Sequence, residues 1–261
     1  MREIDDSKAP LLDHLIELRR RLFYCIIALV ITFALCWWQT PALFAFLVHP
    51  YAAAVGSGAG AEAQLIYTKL YEAFFVQIKI AFQAAFFISF PVIANQIWAF
   101  IAPGLYRKEK RAFLPFLIAT PFLFGLGGAL AYFVAVPNFI RFGLGGQKVA
   151  EGVHLNAFPS IGDYFSLVTN IIWAFGVAFL LPVLLMLLER AGIVTRDQLK
   201  GARRYAIVGA FALAAVLTPP DVMSQISLAI PLCILYESAL VAMWFTQRSR
   251  NKAARQMPVV Q

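Results

Sequence analysis

Charged residues are scarce in this chain. Asp, Glu, Lys and Arg make up 14% of its 261 residues, whereas apolar residues make up 61% and the mean hydropathy is +0.74. Soluble domains carry about 25% charged and about 45–50% apolar residues. The composition therefore excludes an ordinary soluble globular domain and indicates a protein whose main solvent is lipid.

The sequence also lacks the motifs of cofactor, metal and nucleophile chemistry. Its three cysteines stand singly inside apolar runs without a CxxC pair, and its three histidines lie far apart. The glycines of 143–148 lack the spacing of a phosphate-binding loop, and neither Gly-x-Ser-x-Gly nor His-Glu-x-x-His occurs. We therefore predict that the protein is not an enzyme and uses no cofactor or metal.

The main feature of the sequence is a series of six apolar runs separated by polar loops. A helix rising 1.5 Å per residue needs about 20 residues to cross a hydrocarbon core of about 30 Å. The fifth run is the shortest and ends at Thr218-Pro219-Pro220. The predicted transmembrane helices are about 22–38, 73–101, 113–136, 164–188, 205–217 and 226–245.

The positive charges support this division, because short cytoplasmic loops carry an excess of Lys and Arg. Residues 1–21 carry five, the loops 102–112 and 189–204 carry four and five, and the tail from 246 carries four. The three intervening loops carry two or fewer each. This alternation predicts six spans with both termini in the cytoplasm. It also accounts for the net charge of +8 without nucleic-acid binding.

Two prolines inside the runs predict the shape of the bundle. Pro91 and Pro182 each remove a backbone hydrogen bond and kink their helix. Kinked helices form a concave bundle. We therefore expect an all-α integral membrane protein with one six-helix domain at 1–247, followed by a disordered basic cytoplasmic tail at 248–261.

Isolated ionisable groups are the candidate functional residues. Glu17 either pairs with Arg20 or Arg21 along one helix, which adds little stability, or grips a guanidinium of another molecule. Glu109 lies among four cations, so it either relieves their repulsion or serves the same binding purpose.

Two ionisable residues, Lys79 and Glu237, lie inside predicted spans. An ionised group near the bilayer centre costs about 2.5–3.5 kcal/mol, so each needs a partner or water. For Lys79 we expect snorkelling to the outer edge, with Glu72 two turns away on the same face. For Glu237 a structural interhelical hydrogen bond and a proton-linked role remain open alternatives.

Several distinctive motifs follow one another along the chain. They are HLIELRRRL at 14–22, QIWAFIAPGLY at 96–106, AFGV at 174–177, LTPPDV at 217–222 and AIP at 229–231. In this order they resemble the motifs of the TatC family, the multi-spanning subunits of the twin-arginine protein translocase, and the resemblance covers about residues 10–247.

The resemblance implies a receptor in the cytoplasmic (inner) membrane that recognises folded cargo through twin-arginine signal peptides. It also implies single-span partner subunits, TatA and TatB, an oligomeric complex and the proton motive force as the energy source. By position it assigns signal-peptide binding to Glu17, Arg19, Phe100 and Glu109. It assigns translocon assembly or transport to Pro50, Phe74, Asp221, Gln225 and Glu237.

One departure from the family pattern occurs in the fourth helix. Members often carry an acidic or amide residue just after the AFGV motif, as a contact for a partner subunit, whereas Leu180 stands here. Glu237, Gln96 or Asn95 would have to replace that contact, or the partner lacks the matching residue. The family's short fifth and sixth helices agree with the short fifth run and imply a locally thinned bilayer.

Two other functions are consistent with parts of the sequence. An ion-coupled secondary transporter would use Glu237 and Lys79, but it predicts two related halves with broken helices, and we find no internal repeat. A passive membrane scaffold would leave Glu17 and Glu109 freely replaceable.

Overall fold

The computed structural model describes residues 3–55, 64–105, 114–145, 159–190, 192–217 and 222–255. Within these ranges the chain is helical apart from short turns and one parallel bridge between Ile66 and Ser160. The helices are α1 (Glu3–Trp38), α2 (Thr40–Val55), α3 (Glu72–Leu105), α4 (Leu114–Leu130), α5 (Val136–Gly145), α6 (Ile161–Ala178), α7 (Leu181–Arg190), α8 (Arg196–Gly201), α9 (Arg203–Leu217) and α10 (Val222–Arg255).

Among the described residues, five stretches are long and apolar enough to cross a membrane. They are His14–Trp38, Glu72–Phe100, Phe116–Gly143, Ile161–Arg190 and Gln225–Phe245. The remaining predicted span is α9, whose 15 residues rise only about 22 Å. The predicted all-α, six-span fold class and its short fifth helix are thus confirmed.

The segment after α1 differs from the external loop that the sequence predicts, because it contains the helix α2. Thr40 begins this helix and Pro41 follows in its first turn, where a missing N–H costs nothing. The Thr40 hydroxyl donates to the carbonyls of Cys36 and Trp37, at 3.2 and 2.8 Å. This contact fixes the chain between the end of α1 and the start of α2.

The third and fourth predicted helices are interrupted. A π-helical turn at Ala131–Ala135 joins α4 to α5. In the fourth span α6 ends at Ala178. In a continuous helix the carbonyl of Ala178 would accept a hydrogen bond from the backbone N–H of residue 182. Because Pro182 has no N–H, the chain turns at 179–180 and restarts as α7. Pro91, in contrast, lies within the continuous helix α3.

The C-terminal helix α10 is longer than predicted. It continues to Arg255, so residues 248–255, expected to be disordered, are helical, and residues 256–261 lie outside the described part. The glutamine Gln247 donates to Glu189 Oε1 at 3.0 Å. This hydrogen bond attaches the extended end of α10 to the end of α7.

The chain folds as two compact units, of which the first comprises Met1–Phe122 and Ile140–Thr169. Here α1 packs along α3 through a narrow seam of small residues that includes Cys36, Ala81 and Ala85. The Thr32 hydroxyl crosses the seam to the Ala85 carbonyl at 3.1 Å. Only 6% of the most apolar part of the α1 span is buried, so most of its surface is left for lipid or another chain.

The second unit comprises Leu123–Phe139 and Asn170–Gln261. Two glycines allow α4 and α6 to approach closely in it. A Cβ atom on Gly127 would lie 2.5 Å from the Phe175 carbonyl oxygen, and one on Gly176 would lie 2.8 Å from the Phe124 ring. Elsewhere in this unit α10 packs around a core that includes Leu199 of α8.

The close approach at Gly127 gives a stability prediction. Gly127→Ala should destabilise the protein by about 1–3 kcal/mol, because the methyl group forces a packed backbone apart. Gly125→Ala is the matched control, since a Cβ there meets nothing within 4 Å. Thermal unfolding in detergent measures both, and equal midpoints for Gly127→Ala and the parent chain would contradict the packing argument.

Candidate functional site

The first candidate site lies where the early part of α1 meets the end of α3. Arg21 donates to Glu17 Oε1 through Nε at 2.9 Å and also through its terminal nitrogen. Side-chain exposure is 36% for Glu17 and 24% for Arg21, so the pair is in partial contact with solvent. Glu17 Oε2 makes no hydrogen bond to the described residues. The pairing expected for Glu17 is therefore present, with Arg21 as the partner, and one oxygen stays available.

Phe100 of α3 stacks on His14 of α1, with ring centroids 4.3 Å apart and planes inclined by 19°. His14 precedes Glu17 by one helical turn, so the stack brings Phe100 to the same edge as the carboxylate. Arg19 lines an open groove of about 580 Å³ on α1. The described residues lining this groove are Ile16, Arg19, Arg20, Phe23 and Tyr24, and neither Glu17 nor Phe100 is among them. The structure thus brings Phe100 close to the turn that carries Glu17, whereas Arg19 faces the groove instead.

Two predicted site residues, Glu109 and Asp221, lie outside the described residues. In the sequence, Glu109 follows the last residue of α3 by four positions. Asp221 immediately precedes the first residue of α10.

The second candidate site is a clasp at the opposite end of α3, which we name the Glu72 clasp: Glu72, Thr68, Lys69, Ser160 and Gly162. Glu72 Oε2 accepts from the Thr68 amide and hydroxyl at 2.7 and 2.8 Å and from the Lys69 amide at 3.1 Å. Its Oε1 accepts from the Ser160 hydroxyl and from the Gly162 amide, the latter at 2.7 Å. One carboxylate therefore joins the starts of α3 and α6.

The helix termini explain why a carboxylate suits this position. Glu72 lies in the first turn of α3, and Ser160 and Gly162 lie at the start of α6. Both helix N-termini present unpaired N–H groups and positive dipole ends, which favour a negative charge. A Cβ on Gly162 would lie 2.5 Å from Glu72 Oε1, so only glycine leaves room for the carboxylate.

Tyrosines attach α2 to the start of α6. Tyr164 donates to the Leu47 carbonyl at 2.7 Å, and its ring lies 5.4 Å from that of Tyr51. The Tyr51 hydroxyl donates to the Gln64 carbonyl at 3.3 Å. Tyr51 is buried, which raises the pKa of its phenol and keeps it a hydrogen-bond donor. Pro50, a predicted assembly residue, is buried beside it within α2.

Phe74, the other predicted external residue, lies two positions after Glu72 and is 54% exposed. Its ring makes edge contacts with Trp37 at 6.3 Å and Phe75 at 5.9 Å between centroids. The Glu72 clasp therefore fixes the helix start from which these exposed aromatic rings project. Aromatic side chains are favoured at membrane–water interfaces, which agrees with this place.

Lys79 has a different partner from the one that its spacing suggested. Its Nζ donates to the Ser166 hydroxyl of α6 at 2.9 Å, whereas the Glu72 carboxylate is engaged within the clasp. Glu72 is therefore not the partner of Lys79, because the helix starts offer that carboxylate five donors.

In the second unit, the polar residues connect α9 to α10. Arg203 donates to Glu237 Oε2 at 2.8 Å, with side chains about half exposed, so Glu237 has the structural interhelical contact that was one of its two open alternatives. Gln225 donates to the Phe211 carbonyl at 3.1 Å. Leu180 lies half-buried in the turn between α6 and α7.

Sequence reasoning missed the Glu72 clasp, although part of its signal was present. Ser160-Ile161-Gly162-Asp163 has the form of a helix N-cap followed by a first-turn acid, and Ser160 does lie at the start of α6. The contact between Glu72 and Gly162 spans 90 positions. Local patterns carry no information about such a distant pairing.

The fold and these two sites define a polytopic, all-helical integral membrane protein. Residues 13–231 match the family model described as Sec-independent protein translocase protein (TatC). The protein of that name from Magnetococcus marinus is 45% identical over 251 residues, covering 96% of this chain and 89% of that protein. The one from Escherichia coli (strain K12) is 38% identical, covering 95% and 93%.

A crystal structure of the twin arginine translocase receptor TatC in DDM matches with a TM-score of 0.75 at 38% identity. It covers 88% of this chain and 98% of that one. The chain therefore belongs to the TatC family, which confirms the resemblance found in the motifs. It is a protein translocase component and a multi-pass membrane protein, and not an enzyme.

The Glu72 clasp gives a second prediction. Glu72→Gln should lower the midpoint of thermal unfolding, because a neutral amide cannot accept from five donors as a carboxylate does. Asp163→Asn is the matched control, since Asp163 is an exposed acid in the first turn of α6.

Gly162→Ala should reproduce the loss without removing any charge, because its methyl group displaces the carboxylate. Unchanged unfolding midpoints for both Glu72→Gln and Gly162→Ala, measured in the same detergent, would show that the clasp does not stabilise the first unit.

Proposed function

We propose that this chain is the receptor and core subunit of a twin-arginine translocation system in the cytoplasmic membrane, with both termini in the cytoplasm. It recognises the signal peptides of folded cargo through Glu17, Arg19, Phe100 and Glu109, and transport draws on the proton motive force. The observation that supports this most directly is the guanidinium of Arg21 already bound to Glu17.

The geometry at Glu17 leaves space for a second guanidinium. An ionised carboxylate offers about four lone-pair sites, and Arg21 uses only Oε1 among the described contacts. A signal-peptide arginine therefore binds Oε2 without displacing Arg21, and Glu109 supplies the charge for its neighbour. Because Arg presents a planar fork of donors and Lys a single point charge, such a site favours Arg-Arg over Lys-Lys.

A groove on the same stretch of α1 as Glu17 suits the apolar region that follows the arginine pair in a signal peptide. Ile16 and Phe23 line it and are exposed, at 60% and 65%. A peptide that places its arginines at Glu17 thus has apolar side chains of α1 directly along its path into the membrane. Phe100, held by His14, closes the edge beside the carboxylate.

The remaining site residues are proposed to serve assembly with TatA, TatB and further copies. Pro50 and Phe74 belong to the structure around the Glu72 clasp. Gln225 and Glu237 attach the short α9 to α10, and Asp221 adjoins the start of α10. A 15-residue helix fixed in this way thins the bilayer beside it, which eases the passage of bulky cargo.

An ion-coupled secondary transporter finds no support. Lys79 and Glu237, the residues that it requires, have separate partners in Ser166 and Arg203. Membership of the TatC family places the chain in a protein translocase instead.

Photo-crosslinking tests signal-peptide recognition directly. With a crosslinking residue at Ile16, an Arg-Arg signal peptide should label the chain about tenfold more than a Lys-Lys version, the value of one charge-assisted hydrogen bond. Glu17→Ala should remove this preference, whereas Asp197→Ala, which removes an exposed acid of α8, should keep it. Equal labelling by both peptides would exclude the receptor role.

Export of a folded cargo tests the two acids together. Glu17→Ala combined with Glu109→Ala should reduce export by about tenfold or more at constant protein abundance, because the arginine pair loses both counter-charges. Asp197→Ala again serves as the control. Undiminished export by the double variant would mean that the two acids only balance local charge.

A further inference from the structure

Lys79 is a charged group inside the apolar part of the first unit. It lies seven residues into α3, about 10 Å along the helix from Glu72, within the span Glu72–Phe100. The described contact of its ammonium is the Ser166 hydroxyl at 2.9 Å. A neutral hydroxyl accepts one hydrogen bond but does not balance the charge, and an ammonium has three donors.

The acids of the described chain do not supply this counter-charge. Glu72, on the same face of α3, accepts five hydrogen bonds within the clasp. Asp163 lies one turn before Ser166 on α6, but its side chain is exposed and it forms no ion pair with Lys79. The ammonium is thus left with a positive charge that no described residue neutralises.

Gln83 adds a second polar group one helical turn further along the same face of α3. Its Oε1 is enclosed and meets no donor among the described residues. The unpaired Oε1 is an acceptor and cannot bind a carboxylate, but the nitrogen of the same amide carries two donors. The unused donors of Lys79 and this amide nitrogen therefore both suit an acceptor that carries a negative charge.

We propose that Lys79, Gln83 and Ser166 form a binding site for a carboxylate carried by a membrane-spanning helix of another subunit. The carboxylate would accept hydrogen bonds from the Lys79 ammonium and the Gln83 amide. The proposal rests on the proposed function, because it requires a multi-subunit translocon. It names the chemistry of one contact surface in that assembly.

Depth favours a helix-borne carboxylate over a lipid phosphate. Helical side chains lean towards the helix N-terminus, which raises the ammonium towards the start of α3. Ser166, however, lies five residues after the start of α6, about 7 Å along that helix, and Lys79 stays beside it. A phosphate remains outside the hydrocarbon layer, whereas a side chain on a crossing helix reaches this depth.

A designed peptide tests the site on the full chain in phosphatidylcholine vesicles. The probe is a Leu-rich transmembrane peptide with one Glu about seven residues from its outer end, and a second peptide carries Leu there. A photo-crosslinking residue at Phe82, which is exposed on α3, reports the contact. We expect the Glu peptide to label the chain about threefold to tenfold more than the Leu peptide.

Matched variants make the outcome specific. Lys79→Met should remove the preference for the Glu peptide, Lys79→Arg should retain it, and Lys200→Met, which removes an exposed lysine of α8 outside the spans, should leave it unchanged. Gln83→Leu should reduce the preference for the Glu peptide partly, because it removes one of the two proposed donors. This variant tests the site independently if Lys79→Met does not fold.

Two outcomes would overturn the proposal. One is equal labelling by the two peptides on the parent chain. The other is a preference that survives Lys79→Met. Loss of the preference for the Glu peptide when the anionic lipid phosphatidylglycerol replaces part of the phosphatidylcholine would assign the ammonium to an anionic lipid headgroup instead. Crosslinking of the signal peptide at Ile16 in the same vesicles tests the receptor role separately, because that readout does not involve Lys79.

Discussion

The carboxylate of Glu72 is the interaction on which the end of the first unit where α3 and α6 begin depends. It accepts three hydrogen bonds from the turn before α3 and two from the start of α6, so a single ionised group terminates two helices. The parallel bridge between Ile66 and Ser160 and the aromatic contact between Tyr51 and Tyr164 lie around it. Without a charge at this point, two positive helix ends would face each other without compensation.

The carboxylates at the two ends of α3 lie in different surroundings. At one end the Glu72 carboxylate accepts five hydrogen bonds and stabilises the starts of α3 and α6. At the other end Arg21 binds one oxygen of Glu17, and the second oxygen has no hydrogen-bond partner among the described residues, which agrees with the ligand-binding role proposed for it. The same residue type thus has opposite roles, and the number of donors around each carboxylate decides between them.

The sequence was sufficient for the six spans, the short fifth helix and the break at Pro182, because hydropathy, loop charge and a missing N–H act locally. The pairing of Glu17 with Arg21 was also within reach of helical spacing. The helix α2 and the π-turn at Ala131–Ala135 were not, since the external segment has no periodicity that demands a helix. The partners of Glu72 and Lys79 come from α6, nearly ninety positions away, and depend on tertiary contacts.

The narrow seam between α1 and α3 has a consequence for biosynthesis. The helix α1 leaves the ribosome well before Ala81 and Ala85 have been made. Until α3 packs against it, Cys36 and the other apolar residues of the seam can contact lipid without an energetic penalty. Glu72 cannot contact lipid in the same way, because its carboxylate is charged. Two of its hydrogen-bond donors, Ser160 and Gly162, are made about ninety residues later. Until then its carboxylate has only the Thr68 turn and water. The Glu72 clasp is therefore completed late, only after the start of α6 has been made.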